Sequence, residues 1–110
     1  MHMGAAAIIG SEVPINFKHV VLNNASHESV GGMPTTGEVT DLCGVARACG
    51  YKYVYSAATT EELDWAIKEI VAIPELCFLE VKCALNSRKD LGRPTTTPIE
   101  NKEAFMKGLQ

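Results

Sequence analysis

The stretch Lys18-His19-Val20-Val21-Leu22-Asn23-Asn24-Ala25-Ser26-His27-Glu28-Ser29-Val30-Gly31-Gly32 decides how this chain folds. Residues 18–23 are rich in β-branched side chains and predict a short buried strand. The strand runs out at two asparagines. Residues 24–38 show no periodicity and contain Gly31, Gly32, Pro34 and Gly37, so they predict a long loop. Long irregular loops inside compact domains often carry function.

Outward from this stretch, helices and strands alternate. Ala5, Ala6, Ala7, Ile8 and Ile9 predict a helix over 2–12. A second helix is expected over 41–49, with Thr40 as its cap and Gly50 as the left-handed residue that ends it. Residues 51–55 predict a second strand. Thr59 and Glu62 have capping-box spacing and open a helix to about Ala72. Its expected apolar stripe is Leu63, Ile67 and Ile70, with Trp65 and Ala66 at the margins. Residues 76–83 predict a third strand, and 86–97 a polar segment. Thr97, Pro98 and Glu100 announce a last helix, with Ala104, Phe105 and Leu109 as its buried face.

This order predicts an α/β fold, a parallel sheet with flanking helices joined by right-handed crossovers. Ligands of such sheets bind beyond the carboxyl ends of the strands. The loop at Asn23 and the segment after Cys83 both lie there. The chain opens on a helix with no strand before it, so the first strand should be exposed on at least one side.

The chain has 110 residues, one domain or part of one. It is 46% hydrophobic and 21% charged, which reads as globular rather than disordered. A formal net charge of −3 argues against nucleic acid as a partner. No stretch is long enough to span a bilayer, and the first residues lack the charged start of a secretory signal. Cys43, Cys49, Cys77 and Cys83 have no C-x-x-C spacing and are expected to be core thiols of a cytoplasmic protein.

Three segments could carry chemistry. At Asn23-Asn24, an amide oxygen and a nearby backbone carbonyl are hard donors suited to Mg²⁺ or Ca²⁺; paired asparagines are also ordinary turn chemistry. His27-Glu28-Ser29 has the ingredients of acid–base work, although sequence neighbours rarely point together. Arg88, Lys89 and Arg93 could grip an anionic group, or form a solvated polar loop.

Two runs carry a resemblance: His19 through Gly37, and Arg88-Lys-Asp-Leu-Gly-Arg-Pro-Thr-Thr-Thr-Pro98, followed by Glu100-Asn-Lys and Phe105-Met106. They resemble the phosphonopyruvate decarboxylase family of thiamine-diphosphate-dependent 2-oxo acid decarboxylases, with the sulfopyruvate decarboxylases as close cousins. The resemblance implies that residues 1–110 form the C-terminal part of a Rossmann-like diphosphate-binding domain. It implies thiamine diphosphate and Mg²⁺ as cofactors, with the Asn24 side chain and the Ser26 carbonyl as metal ligands and His27 and Glu28 near the diphosphate. The family's Gly-Asp-Gly is absent, as is a pyrimidine-binding domain, which another part of the same chain or another chain would supply.

The implied partners are phosphonopyruvate or a similar anionic 2-oxo acid and further copies in a homo-oligomer. Arg88, Lys89 and Arg93 are the available cations for the phosphonate. The expected reaction converts 3-phosphonopyruvate to phosphonoacetaldehyde and CO₂, and the isolated chain is expected to be inactive. A sulfopyruvate decarboxylase subunit and a non-catalytic interaction module are the alternatives.

Overall fold

The computed structural model describes residues 3–86 and 88–109. Helix α1 spans Met3–Glu12 and leads to strand β1, Lys18–Asn23. The following loop contains a miniature hairpin of β2, Ser26–His27, and β3, Met33–Pro34, with single 3-10 turns at Glu28–Val30 and Thr36–Glu38. Next come α2 (Leu42–Ala48), β4 (Tyr53–Ala57), α3 (Thr60–Ala72), β5 (Cys77–Lys82) and α4 (Pro98–Lys107).

The main sheet is parallel, as expected, in the order β1-β5-β4. Among the described residues β1 pairs on one side only. Strand β5 lies in the middle and is buried from Cys77 to Val81, as a parallel strand covered on both faces should be. Alternation divides its side chains. Cys77, Leu79 and Val81 pack with Ala57, Ala66 and Ile70 against α3. Leu76 and Phe78 pack with Cys43, Ala46 and Tyr51 beneath α2, with Ala6 and Ile9 of α1 at the margin.

Local chemistry explains the helix boundaries. The Thr59 hydroxyl accepts from the Glu62 N–H, and the Glu62 carboxylate accepts from the Thr59 N–H, closing the capping box of α3. Thr97 and Glu100 do the same for α4. Gly50 follows α2 with φ 99°, where an L side chain is strained. Gly10 lets α1 touch the end of α2: a Cβ there would sit 1.7 Å from the Cys49 carbonyl oxygen.

Several expectations need correction. Asp41, not Thr40, caps α2, because its carboxylate accepts from the Gly44 N–H at 2.8 Å. Strand β4 begins at Tyr53; Tyr51 still belongs to the tight exit from α2, where its N–H donates to the Ala46 carbonyl. In α3 the fully buried residue is Ala66, while Ile67 is 45% exposed. A small side chain at the contact lets the helix sit close to the sheet, and the stripe centres on it.

Helix α4 forms, but none of its described residues is buried. Phe105 is 68% and Leu109 67% exposed. The expected face exists as a pattern; among the described residues nothing buries it. Cys43 and Cys77 are buried, whereas Cys83, one residue past β5, is exposed.

Candidate functional site

The carboxyl end of β1 and the loop that follows it carry a cleft of about 470 Å³. Asn23, Asn24, Ser26 and His27 line one wall, and Pro34, Thr35, Thr36 and Gly37 another, above Val21, Leu22 and Leu42. The position follows from the topology: Asn24 is the first residue beyond a strand that runs parallel to β5.

The two asparagines do different things. Asn23 turns inward, and both hydrogens of its amide are engaged. Its Nδ2 donates to the Gly37 carbonyl and to Glu80 Oε1, each at 2.8 Å, and its Oδ1 accepts from the Ala25 N–H at 3.0 Å. Asn24 faces the cleft. Its Oδ1 accepts from the Ser26 N–H at 3.1 Å, and its Nδ2 donates to Glu28 Oε2 at 2.9 Å. An amide oxygen has two lone pairs, so Asn24 Oδ1 retains acceptor capacity. Directly after the pair, Ala25 takes the left-handed conformation, φ 56°.

Ser26 stands opposite Pro34 in the miniature hairpin. The two form a non-hydrogen-bonded pair, because the ladder bond beside them runs from the Thr35 N–H to the Ala25 carbonyl, so the Ser26 carbonyl points away from β3. Asn24 Oδ1 and the Ser26 carbonyl are therefore two hard, neutral oxygens with spare lone pairs, of the type that divalent cations of the Mg²⁺ class select. Among the described residues there is no group of three or more histidine, cysteine or acidic side chains that could hold a metal by itself.

The other proposed residues divide. His27 lines the cleft; Glu28 does not. The Glu28 carboxylate bridges two loops instead: Oε2 accepts from Asn24 and Oε1 accepts from the Asn86 N–H. It thus ties the loop after β1 to the segment after β5. Arg88 pairs with Asp90 at 3.4 Å, with both side chains exposed. Lys89 and Arg93 are also exposed, and none of the three cations lines the cleft.

Residues the motif did not single out hold this loop in place. A Cβ on Gly37 would lie 2.5 Å from Asn23 Oδ1, so glycine is required for the close approach. The Thr35 hydroxyl accepts from the Gly37 N–H. Glu80, in the middle of β5, is only 5% exposed. The sequence signal for it was an acid inside the apolar run Phe78-Leu79-Glu80-Val81. The Cys43 thiol lies 3.7 Å from Glu80 Oε2, and burial first, then the Glu80 charge, raises its pKa above the usual thiol range.

A second groove, about 340 Å³, lies between α1, β1 and α2 and is lined by apolar side chains apart from His19. His19 Nδ1 is 2.9 Å from the Tyr51 hydroxyl, and burial lowers the imidazole pKa. The same burial raises that of Tyr51. This groove offers neither the oxygen donors nor the exposed loops of the cleft. No described helix is long and apolar enough to cross a membrane.

Comparison with known proteins gives the cleft a context. No family model matches the chain. Over 105 residues, 96% of its length, it is 34% identical to a phosphonopyruvate decarboxylase of Streptomyces viridochromogenes and 31% identical to one of Streptomyces hygroscopicus. It spans 26% of each of these relatives. It is also 27% identical, over all of its length, to a sulfopyruvate decarboxylase subunit beta of Methanococcus maripaludis, of which it spans 58%. Across nearly its whole length, then, this chain resembles one part of phosphonopyruvate decarboxylase.

Proposed function

We propose that this chain is the diphosphate-holding part of a thiamine-diphosphate-dependent decarboxylase that converts 3-phosphonopyruvate to phosphonoacetaldehyde and CO₂. The observation that carries the proposal is the position of Asn24 and Ser26. Both line a cleft at the carboxyl end of a parallel strand, in a chain whose sequence resembles that of phosphonopyruvate decarboxylases.

The donor set fits the cofactor. Asn24 Oδ1 and the Ser26 carbonyl would hold Mg²⁺. Both are neutral, so the ion needs anionic oxygens from another source, and a diphosphate provides them. His27, on the same wall, would donate a hydrogen bond to a phosphate oxygen. Glu28 fixes the amide: by accepting from Asn24 Nδ2 it leaves the oxygen as the end with free acceptor capacity. When bound, thiamine diphosphate supplies the nucleophilic carbon and the electron sink that decarboxylation of a 2-oxo acid requires. The chain's own task is to anchor and orient. Arg88, Lys89 and Arg93 remain candidates for the phosphonate, provided their segment folds over the cleft when substrate is present.

Activity of the whole enzyme would also need residues outside the quarter of the relatives' length that this chain matches. The isolated chain should therefore release no CO₂ from phosphonopyruvate above a blank. A second reading, a subunit of a sulfopyruvate decarboxylase, draws on the match to beta subunits over the chain's full length. A substrate panel on the full-length gene product separates the two. Phosphonopyruvate turnover that requires thiamine diphosphate and Mg²⁺ supports the first reading, and a preference for sulfopyruvate supports the second. Turnover of neither overturns both in favour of a non-catalytic interaction module.

A further inference from the structure

Glu80 is the one buried charged residue among those described, and it touches no cation. Burying a carboxylate is costly unless hydrogen bonds compensate. Here the compensation comes from Asn23 at 2.8 Å and the weak thiol donor of Cys43. Strand register makes this possible. Val21 pairs with Glu80 and Asn23 with Lys82, so the Asn23 and Glu80 side chains share the α2 face of the sheet.

We propose that Glu80 is a positioning residue for the metal-holding loop. Acting through Asn23, it fixes the backbone that presents the Asn24 and Ser26 oxygens, without touching the ion itself. The metal-holding role of that loop is the reading given above, on which this inference rests.

The logic is one of donors and acceptors. Toward the Asn23 nitrogen, a carboxyl oxygen of Glu80 acts as acceptor. It therefore holds the Asn23 amide with its nitrogen toward β5 and its oxygen toward Ala25. That oxygen accepts the Ala25 N–H and so supports the left-handed turn at Ala25. The second amide hydrogen reaches the Gly37 carbonyl and draws the far wall of the cleft onto the strand end. One buried acid thus sets the orientation of one amide, and that amide joins both walls.

The test uses the full chain and two readouts. The first is amide exchange at Ala25 and Thr35, compared with Leu79 in the core. The second is Mn²⁺ affinity in the presence of thiamine diphosphate, read from paramagnetic broadening. Glu80→Met keeps the volume but removes the acceptor. It should speed exchange at Ala25 and Thr35 and weaken Mn²⁺ binding, each about tenfold or more, the scale of one charge-assisted hydrogen bond. Exchange at Leu79 should not change.

Glu80→Gln can still turn an oxygen toward Asn23 and should stay within about threefold of the parent protein, less than one such bond. Asn23→Asp sets two carboxylates together and should behave like Glu80→Met. Adding Glu80→Gln to it restores a donor–acceptor pair between residues 23 and 80 and should recover protection at Ala25 but not at Thr35, because an aspartate at position 23 has no donor for the Gly37 carbonyl; a general folding defect would not divide in this way.

If Mn²⁺ fails to bind the parent protein near Asn24, the metal-holding reading falls, and exchange at Ala25 and Thr35 alone decides whether Glu80 positions the loop. Unchanged exchange in Glu80→Met overturns the proposal. So does unchanged Mn²⁺ affinity where the parent protein binds the ion, and so does failure of the double variant to recover protection at Ala25.

Discussion

The two faces of the central strand show how one sheet serves both stability and chemistry. On the α3 face, β5 presents Cys77, Leu79 and Val81, and their neighbours are apolar. On the α2 face it presents Leu76, Phe78 and then Glu80, so polarity rises toward the carboxyl end. The α3 face works by close packing. The α2 face works by packing at its amino end and by hydrogen bonds at its carboxyl end, where Asn23 meets Glu80 and the cleft opens. The difference follows from the parallel topology, which gathers all the strand-to-helix loops at one end and leaves the carboxyl-end positions to polar residues.

Substitutions on the two faces should therefore fail differently. The largest loss is expected for Leu79→Ala, which opens a cavity in the apolar face and should cost about 2–5 kcal/mol in denaturant unfolding. Gly37→Ala comes next. Its new methyl group collides with an Asn23 oxygen that is already held in place, at a cost of about 1–3 kcal/mol. It should also weaken ion binding at the cleft, which Leu79→Ala should not do at temperatures where both variants remain folded. Equal effects on binding would break the division between the faces.

A smaller, pH-dependent effect sharpens it. Burial without a compensating anion keeps the His19 imidazole below its ordinary pKa of 6.5. The unfolded chain takes up a proton that the folded chain resists. Stability is thus full above pH 6.5 and is lost as pH falls from there through the lowered folded value. His19→Asn should flatten that part of a stability–pH curve, with melting followed at closely spaced pH values; an unaltered slope would refute the assignment. The smallest effect is expected at Phe105→Ser, below about 0.5 kcal/mol in this chain, because the ring is 68% exposed.

Much of this architecture was legible in the sequence because it depends on local signals. The β-branched run gave β1 its observed bounds, and the Thr59 and Thr97 capping boxes set the starts of α3 and α4. What was not legible depends on contacts between distant residues. Ile67 and Ala66 exchange roles because the closeness of α3 to the sheet decides which of them is central. Phe105 and Leu109 form an apolar pattern that gains its meaning only from a surface to cover it. At the candidate site the paired asparagines stood out as a motif, but their division of labour did not. That Asn23 turns inward depends on Glu80, 57 residues away, and on a parallel register that no short window of sequence contains.

The most direct test of the account is a titration of the isotope-labelled chain with Mn²⁺ in the presence of thiamine diphosphate. Amide signals of Asn24, Ser26 and His27 should broaden first, and Asn24→Leu should abolish that broadening while leaving the remaining spectrum in place. Broadening centred on the acidic start of α3, or unaffected by Asn24→Leu, would contradict the account.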